Sequence, residues 1–172
     1  MRRIGVFSYG VVCYGIFFAT FLYAIGFIGN LWVPKTLDGP PQLPLLQALL
    51  IDLGLLSLFA VQHSVMARPG FKRLWTQIVP RPMERSTYVL FSSLALLALF
   101  AFWQPLGGTL WQVDSPLGRT LIYGLYFLGW ALVLAATFLI NHFDLFGLRQ
   151  VWLYLRGRRY THLPFTTPGL YK

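Results

Sequence analysis

Four long apolar runs dominate the hydrophobic pattern of this chain. They lie at Val6–Phe27, Leu45–Met66, Thr87–Trp103 and Leu121–Ile140, and the last of them contains no charged residue. An α-helix rises about 1.5 Å per residue, so about 20 apolar residues cross the roughly 30 Å hydrocarbon core of a bilayer. The pattern therefore predicts an all-α fold, an integral membrane helical bundle with four transmembrane helices.

The segments outside these runs are amphipathic. Phe71–Ile78 has apolar residues at helical spacing, which predicts a short helix lying on the membrane surface. Phe143–Tyr154 is amphipathic and aromatic, and we interpret it as a cytoplasmic C-terminal segment. We therefore predict a four-helix transmembrane domain at residues 1–142 and a cytoplasmic segment at 143–172.

Composition and charge support the membrane interpretation. The chain is 56% hydrophobic and only 11% charged, whereas soluble domains carry about 25% charged residues. The net charge of +9 is unevenly distributed, because alternate loops hold twelve and two of the basic residues. This asymmetry predicts that both termini are cytoplasmic. It also favours contact with anionic membrane lipids over binding to nucleic acid.

The densest group of polar residues follows the fourth apolar run. Within Asn141–Gln150 lie His142, Asp144, Arg149 and Gln150, where a membrane helix leaves the lipid. One interpretation is an interfacial stop signal, but this mixture of an imidazole, an acid, a guanidinium and an amide favours a functional site. His142 and Arg149 are seven residues apart, so a continuing helix would place both on one face.

Two further ionisable residues lie inside the second apolar run. Asp52 and His63 are separated by just over three helical turns, or about 16 Å, so they share a face without forming a pair. We expect both to face the protein interior and to line one groove. The alternatives are an interhelical contact for Asp52 and a headgroup-level position for His63.

The approach to the third run contains helix-start and helix-stop signals. Pro80 and Pro82 are expected to prevent a long helix there. Ser86 is expected to cap the third transmembrane helix, with Glu84 near its positive end.

Several kinds of site are excluded or disfavoured. Cys13 is the single cysteine, so no disulfide framework and no cysteine-based metal site is possible. The three histidines lack metal-ligand spacing, and we predict no metal. The sequence contains no glycine-rich nucleotide loop and no serine nucleophile elbow. It carries no signal for the oligomeric state.

Five longer motifs carry a family resemblance. They are YAIGFIGN (Tyr23–Asn30), FAVQHSVMARPGFKRLW (Phe59–Trp75), ERSTYVL (Glu84–Leu90), FLINHFDLFGLRQVWL (Phe138–Leu153) and LPFTTPGLYK (Leu163–Lys172). With them the chain resembles, from end to end, the bacterial methanethiol S-methyltransferases. These are membrane enzymes related to the NnrU proteins and, more distantly, to isoprenylcysteine carboxyl methyltransferases.

The resemblance implies methylation of a small thiol, methanethiol, to dimethyl sulfide with S-adenosylmethionine as cofactor, in the bacterial inner membrane. His142, Arg149, Asp144 and His63 are the candidate catalytic residues. The residues that it assigns to the cofactor are Gln150, Leu163, Pro164, Phe165, Thr166 and Tyr171. The alternatives are a non-catalytic NnrU-like membrane protein and a carboxyl methyltransferase with a lipid-linked substrate. A small closed pocket would favour methanethiol, and a lateral opening would favour the lipid-linked substrate.

The chain departs from the family pattern at its end. In the family, a Gly-x-Tyr is followed by Arg-His-Pro-x-Tyr, a helical hairpin and a Glu-Glu pair. Here Gly169-Leu170-Tyr171 is followed only by Lys172. The expectation is a C-terminally truncated member with half of a cofactor pocket, weak cofactor binding and little turnover.

Overall fold

The computed structural model describes residues 1–109 and 111–163. Across these residues the chain is helical, with α1 Arg2–Gly29, α2 Leu45–Ala67, α3 Pro69–Trp75, α4 Arg81–Phe102, α5 Pro116–Ile140, α6 His142–Leu145 and α7 Leu148–Leu155. Helices α1, α2, α4 and α5 are long and apolar enough to cross a membrane. The predicted fold class, an integral membrane bundle with four spanning helices, is confirmed. The predicted domain boundary after residue 142 stays a prediction.

Helix α4 begins earlier than the sequence pattern predicted. Pro80 is its N-cap and Pro82 lies in its first turn, where the absent amide hydrogen removes no helical hydrogen bond. The expectation that these prolines prevent one long helix through the loop is confirmed, because α3 ends at Trp75 and α4 begins only at Arg81. Ser86 is fully buried inside α4 and is not its cap. The predicted surface helix at Phe71–Ile78 is partly confirmed, because α3 ends at Trp75.

Helix α4 lies at the centre of the bundle and packs against α1, α2 and α7. The buried core contains Ala24 and Phe27 of α1 and Leu99 and Phe100 of α4, with the Phe27 and Phe100 ring centroids 4.8 Å apart. No residue of α5 is buried. This helix therefore presents most of its surface to lipid and contacts α1 through a few aromatic side chains.

Asp52 has the interhelical role that the sequence allowed. Its side chain is 3% exposed, and Oδ1 accepts a hydrogen bond of 2.9 Å from the backbone N–H of Gln104. The carboxylate therefore ties α2 to the backbone that follows α4. The predicted inward orientation of Asp52 is confirmed.

The chain turns sharply after α5. Asn141 leaves the helical conformation (φ 159°, ψ 89°), and its side chain caps α6 by accepting a bond of 3.0 Å from the N–H of Asp144. Gly147 (φ 87°) then redirects the chain into α7, and a Cβ atom there would lie 2.7 Å from the backbone nitrogen of Ser86. The expected continuous helix through His142 and Arg149 is therefore wrong, because these residues lie on different helices.

Candidate functional site

A polar cavity of about 820 Å³ lies at one end of the bundle. Segments that are far apart in sequence form its walls: the start of α1, α3, the start of α4, and the region from α6 to residue 162. Seven of its lining side chains are cationic, namely Arg3, Lys72, Arg73, Arg81, Arg85, Arg158 and Arg159. All seven belong to the twelve basic residues that the loop asymmetry assigned to one side. We call this region the basic cavity.

Two carboxylates and an amide line the basic cavity beside its cationic side chains. Glu84 lies 3.9 Å from the Lys72 ammonium, and Asp144 of α6 lines the same cavity. Gln150 also lines the cavity, and its Oε1 atom is buried without a hydrogen-bond partner among the described residues. An unpaired buried carbonyl is costly, so an N–H group that reached this atom would be bound favourably.

The Asp144 carboxylate is held by two neighbouring side chains. Its Oδ1 accepts a bond of 2.8 Å from Arg149 Nη1, and its Oδ2 accepts one of 3.1 Å from the Tyr160 hydroxyl. Arg149 also donates to the carbonyl of Thr161 and stacks on the Tyr160 ring. Burial, followed by the nearby Asp144 charge, raises the pKa of Tyr160, so the phenol stays protonated and continues to donate. These contacts fix the segment after α7 against α6.

A second cavity of about 790 Å³ lies between the spanning helices. Its walls are mostly aromatic and aliphatic, with Phe21 and Phe27 from α1, Leu96 from α4 and Trp130 from α5. Four polar groups, His63, Arg85, Tyr88 and Ser92, lie near one end of it. We call it the apolar cavity.

His63 and Tyr88 contact each other on the wall of the apolar cavity. The Tyr88 hydroxyl lies 3.0 Å from Nδ1 and 2.9 Å from Nε2 of His63, and the Ser92 hydroxyl lies 3.2 Å from Nδ1. Arg85 stacks on the Tyr88 ring, with its guanidinium carbon 5.6 Å from the ring centroid. Because His63 is solvent-accessible on this wall, its imidazole is available to a ligand.

Arg85 lines both cavities. It therefore marks the boundary between the charged end of the protein and the apolar space among the helices. Sequence inspection missed Arg85 and Tyr88 as site residues. The available signal was their i, i+3 spacing within ERSTYVL, which places a guanidinium over an aromatic ring on one helix face.

His142 lies in a closed aromatic cage and is only 2% exposed. Its ring stacks on Phe138 at 4.2 Å and contacts Phe146 at 4.9 Å. Tyr14 Oη lies 2.8 Å from Nε2, and Thr137 Oγ1 lies 2.8 Å from Nδ1. We call these residues the His142 cage.

The hydrogen bonds define the proton position on His142. The Thr137 hydroxyl donates to the Leu134 carbonyl at 2.6 Å, so its oxygen accepts from Nδ1–H of His142. Nε2 is then unprotonated and accepts from the Tyr14 hydroxyl. Burial lowers the pKa of His142, which maintains the neutral ring. Both nitrogens are therefore occupied within the cage.

The structure separates the sequence-predicted site residues into three places. Asp144, Arg149 and Gln150 lie together at α6 and α7, His63 lies on the apolar cavity, and His142 lines neither cavity. Asp52 lines neither cavity either, so the expected groove shared with His63 is wrong. Leu163 is 41% exposed, while Pro164, Phe165, Thr166 and Tyr171 lie outside the described residues. Within 1–109 and 111–163 no group of three His, Cys, Asp or Glu side chains could hold a metal ion.

Comparison with known proteins identifies the family. The chain is 57% identical over 172 residues to the methanethiol S-methyltransferase of Crocosphaera subtropica, covering 100% of this chain and 68% of that protein. It is 51% identical over 172 residues to the methanethiol S-methyltransferase of Mycobacterium tuberculosis, covering 100% of this chain and 70% of that protein. Human nurim is 34% identical over 112 residues, which are 62% of this chain and 42% of nurim.

No family model matches the chain. No solved structure matches it either. The two methyltransferase alignments nevertheless extend over the whole chain at more than half identity. The chain therefore belongs to the methanethiol S-methyltransferase family.

Proposed function

We propose that this chain carries the site at which the methyl group of S-adenosylmethionine is transferred to methanethiol to form dimethyl sulfide, with the low turnover expected above for this chain. The relatives that bear this activity in their names align with the entire chain. The structural observation that carries the proposal is the position of Arg85, which lines both the basic cavity and the apolar cavity. A polar methyl donor and a small apolar thiol need two such environments in contact.

The residues of the basic cavity fit S-adenosylmethionine. The cavity, about 820 Å³, is in the usual range for a ligand of this size. Its guanidinium groups suit the carboxylate of the cofactor, and Asp144 and Glu84 suit the ammonium group and the ribose hydroxyls. The unpaired Oε1 of Gln150 suits the exocyclic amine of adenine. When bound, the cofactor supplies a methyl group activated on a sulfonium sulfur.

The excess of positive charge favours the thiolate form of the substrate. Seven cationic and two anionic side chains line the basic cavity. Such a field stabilises a thiolate relative to the neutral thiol and so lowers the cost of deprotonation. The transfer itself converts one negative and one positive sulfur into two neutral thioethers, so the field acts on formation of the nucleophile.

We assign activation of the thiol to Arg85 and His63. Thiols are mostly protonated near pH 7, as the cysteine pKa of about 8.5 illustrates, but the thiolate is the nucleophile. The His63 imidazole takes the thiol proton, and the Arg85 guanidinium holds the resulting anion. Tyr88 touches both groups and orients them.

We assign supporting roles to the other predicted site residues. Asp144 faces the cofactor, and Arg149 fixes Asp144 and the segment after α7. Leu163, with Pro164, Phe165, Thr166 and Tyr171 after it, stays proposed for the cofactor through the family resemblance. His142 is proposed as a positioning residue, because its nitrogens are occupied within the cage.

We further propose that the protein lies in the cytoplasmic membrane with both termini and the basic cavity on the cytoplasmic side. The basis is the twelve-to-two distribution of basic residues. Reporter fusions after Lys35 and after Lys172 test it. We expect a periplasmic signal for the first and a cytoplasmic signal for the second, and a periplasmic signal at Lys172 would exclude this orientation.

The catalytic assignment is tested with Arg85→Gln and Arg85→Lys in membranes that contain the chain. With S-adenosylmethionine and methanethiol supplied, we expect Gln to reduce dimethyl sulfide formation per folded protein about 100-fold, the usual cost of removing a group that stabilises charge in the transition state. Lys should retain part of the rate because it keeps the charge.

Arg68→Gln is the matched control, since Arg68 is at the same end but lines neither cavity. An equal loss for Arg68→Gln would indicate a general effect of net charge. Unchanged turnover in Arg85→Gln would remove Arg85 from the site.

A lipid-linked carboxylate is the second candidate substrate. The apolar cavity favours it, because it is large and mostly apolar and includes the side chains of Ile28 and Leu56, which are 47% and 45% exposed. Assaying the same membranes with an isoprenyl-cysteine separates the two. Formation of a methyl ester, without dimethyl sulfide from methanethiol, would reverse the order of the candidates.

A further inference from the structure

The apolar cavity is far larger than methanethiol. It measures about 790 Å³. A water molecule occupies about 30 Å³ in the liquid, and methanethiol, with two heavy atoms, needs two to three times as much. Methanethiol would therefore fill only about a tenth of the cavity. The volume of the whole cavity lies in the range of roughly 300–1,000 Å³ that is usual for sites of much larger ligands.

The cavity is elongated along the bundle. Its lining follows α4 from Arg85 to Trp103, and this interval of eighteen residues corresponds to about 27 Å of helix. The wall opposite includes Phe21 and Phe27 of α1 and Leu56 of α2. A linear molecule lying along α4 would fit this shape better than a compact one.

Polarity is distributed unequally along the cavity. Arg85, Tyr88, His63 and Ser92 lie towards the basic end, while the remainder of the lining is largely hydrocarbon and aromatic. Such a cavity suits a molecule with one ionisable end and an apolar tail. The lining residues Ile28 and Leu56 belong to membrane-spanning helices and are 47% and 45% exposed, so we expect an apolar molecule to enter from the bilayer.

We propose that the substrates of this site include linear alkyl thiols longer than methanethiol, taken from the membrane and bound with sulfur at Arg85. This inference rests on the proposed function, because it uses the same methyl donor and the same boundary residue. In the reaction the thiol proton passes to His63, and the sulfur lone pair forms the new bond to the methyl carbon. The bond from that carbon to the sulfonium breaks, and its electron pair remains on the donor sulfur.

A chain-length series tests the proposal. Membranes containing the protein are supplied with S-adenosylmethionine and with methanethiol, ethanethiol, 1-propanethiol or 1-hexanethiol, and the methyl sulfides are quantified by gas chromatography. Relative to the free aqueous thiol concentration, we expect kcat/KM to rise about fourfold per methylene, the equilibrium gain for burying one. 2-Mercaptoethanol, the polar isostere of 1-propanethiol, should react at least tenfold more slowly than 1-propanethiol.

A pair of variants separates binding in the cavity from partition into lipid. Leu56 lines the apolar cavity, whereas Leu53 lies on the same helix, is 57% exposed and does not line it. Leu56→Trp should reduce methylation of 1-hexanethiol at least tenfold more than it reduces methylation of methanethiol. Leu53→Trp should leave both unchanged, because it alters only the lipid-facing surface.

The outcomes distinguish this proposal from the proposed function. Methylation of methanethiol alone would overturn the inference and leave the function standing. A rise with chain length that Leu56→Trp does not affect would also overturn it, because partition into the membrane would then explain the series. Absence of methylation for every thiol would reject both.

Discussion

The surroundings of His63 and His142 share their components but differ in access. Each ring stacks on a phenylalanine and lies within hydrogen-bond distance of a tyrosine and of a small hydroxyl. His142 is only 2% exposed, with both nitrogens occupied, whereas His63 faces the apolar cavity. The same types of side chain can thus form a buried structural contact or an accessible reactive site. What decides between these roles is whether a ligand can reach the nitrogen atoms.

The largest difference between the two histidines should appear in the turnover of their variants. We expect His63→Gln to lower methyl transfer to methanethiol about 100-fold, because a positioned general base contributes at least that much. Its thermal midpoint in detergent should change little, since the side chain is exposed on the cavity wall. Headspace measurement of dimethyl sulfide per folded protein, beside the thermal midpoint, provides both values.

The two histidine variants together form the control. If His142→Gln loses as much turnover per folded protein as His63→Gln while both remain equally stable, the distinction between a structural His142 and a reactive His63 is wrong.

A smaller effect is expected on stability, and it should belong to His142. Replacing this ring by Phe leaves the Tyr14 hydroxyl without its acceptor, at a cost of about 1–3 kcal/mol. The thermal midpoint of His142→Phe should therefore fall by several degrees, at about 2–4 °C per kcal/mol for a protein of this size. Differential scanning fluorimetry in detergent measures it.

The pH dependence of stability sharpens this expectation. Because burial lowers the pKa of His142 below its ordinary 6.5, the unfolded chain binds more protons than the folded one as pH falls below that value. Stability from the neutral ring is fully present above pH 6.5 and is lost as pH falls through the folded pKa. The wild type should lose this stability on acidification, and His142→Phe should not.

His162 provides the matched control, since it is exposed. His162→Phe should retain the acid-dependent loss. A wild-type midpoint that does not change between pH 7 and pH 5 would contradict the proposal that a neutral His142 holds the cage together.

The sequence predicted the spanning helices because hydropathy is a local property. About 20 apolar residues must be helical in lipid, where every backbone group needs an internal partner. The end of α5 at Ile140 was predicted, because the apolar run stops there, but the division of His142 and Arg149 between two helices was not. The competing interaction is local, since the Asn141 side chain caps α6 and ends α5.

The candidate site was predicted only in part. Asp144, Arg149 and Gln150 are close in sequence, so their proximity was visible as a cluster of polar residues. Arg85 acquires its position from the packing of α4 against the other helices, which no local pattern reveals. The different roles of the two histidines likewise depend on neighbours from distant segments, such as Tyr14, which is 128 residues before His142.

The packing of α1 has a consequence for how the protein is made. The Tyr9 hydroxyl of this helix bonds Thr87 of α4, 78 residues later, and Gly10 receives Val151 of α7. At roughly 5–20 residues per second, the ribosome needs about 4 to 16 seconds after Tyr9 to synthesise even the first of these partners. During that interval α1 lies in the bilayer without α4 or α7. The Thr20 hydroxyl of α1 donates to the Ile16 carbonyl of the same helix, so this polar group needs no hydrogen-bond partner from a neighbouring helix.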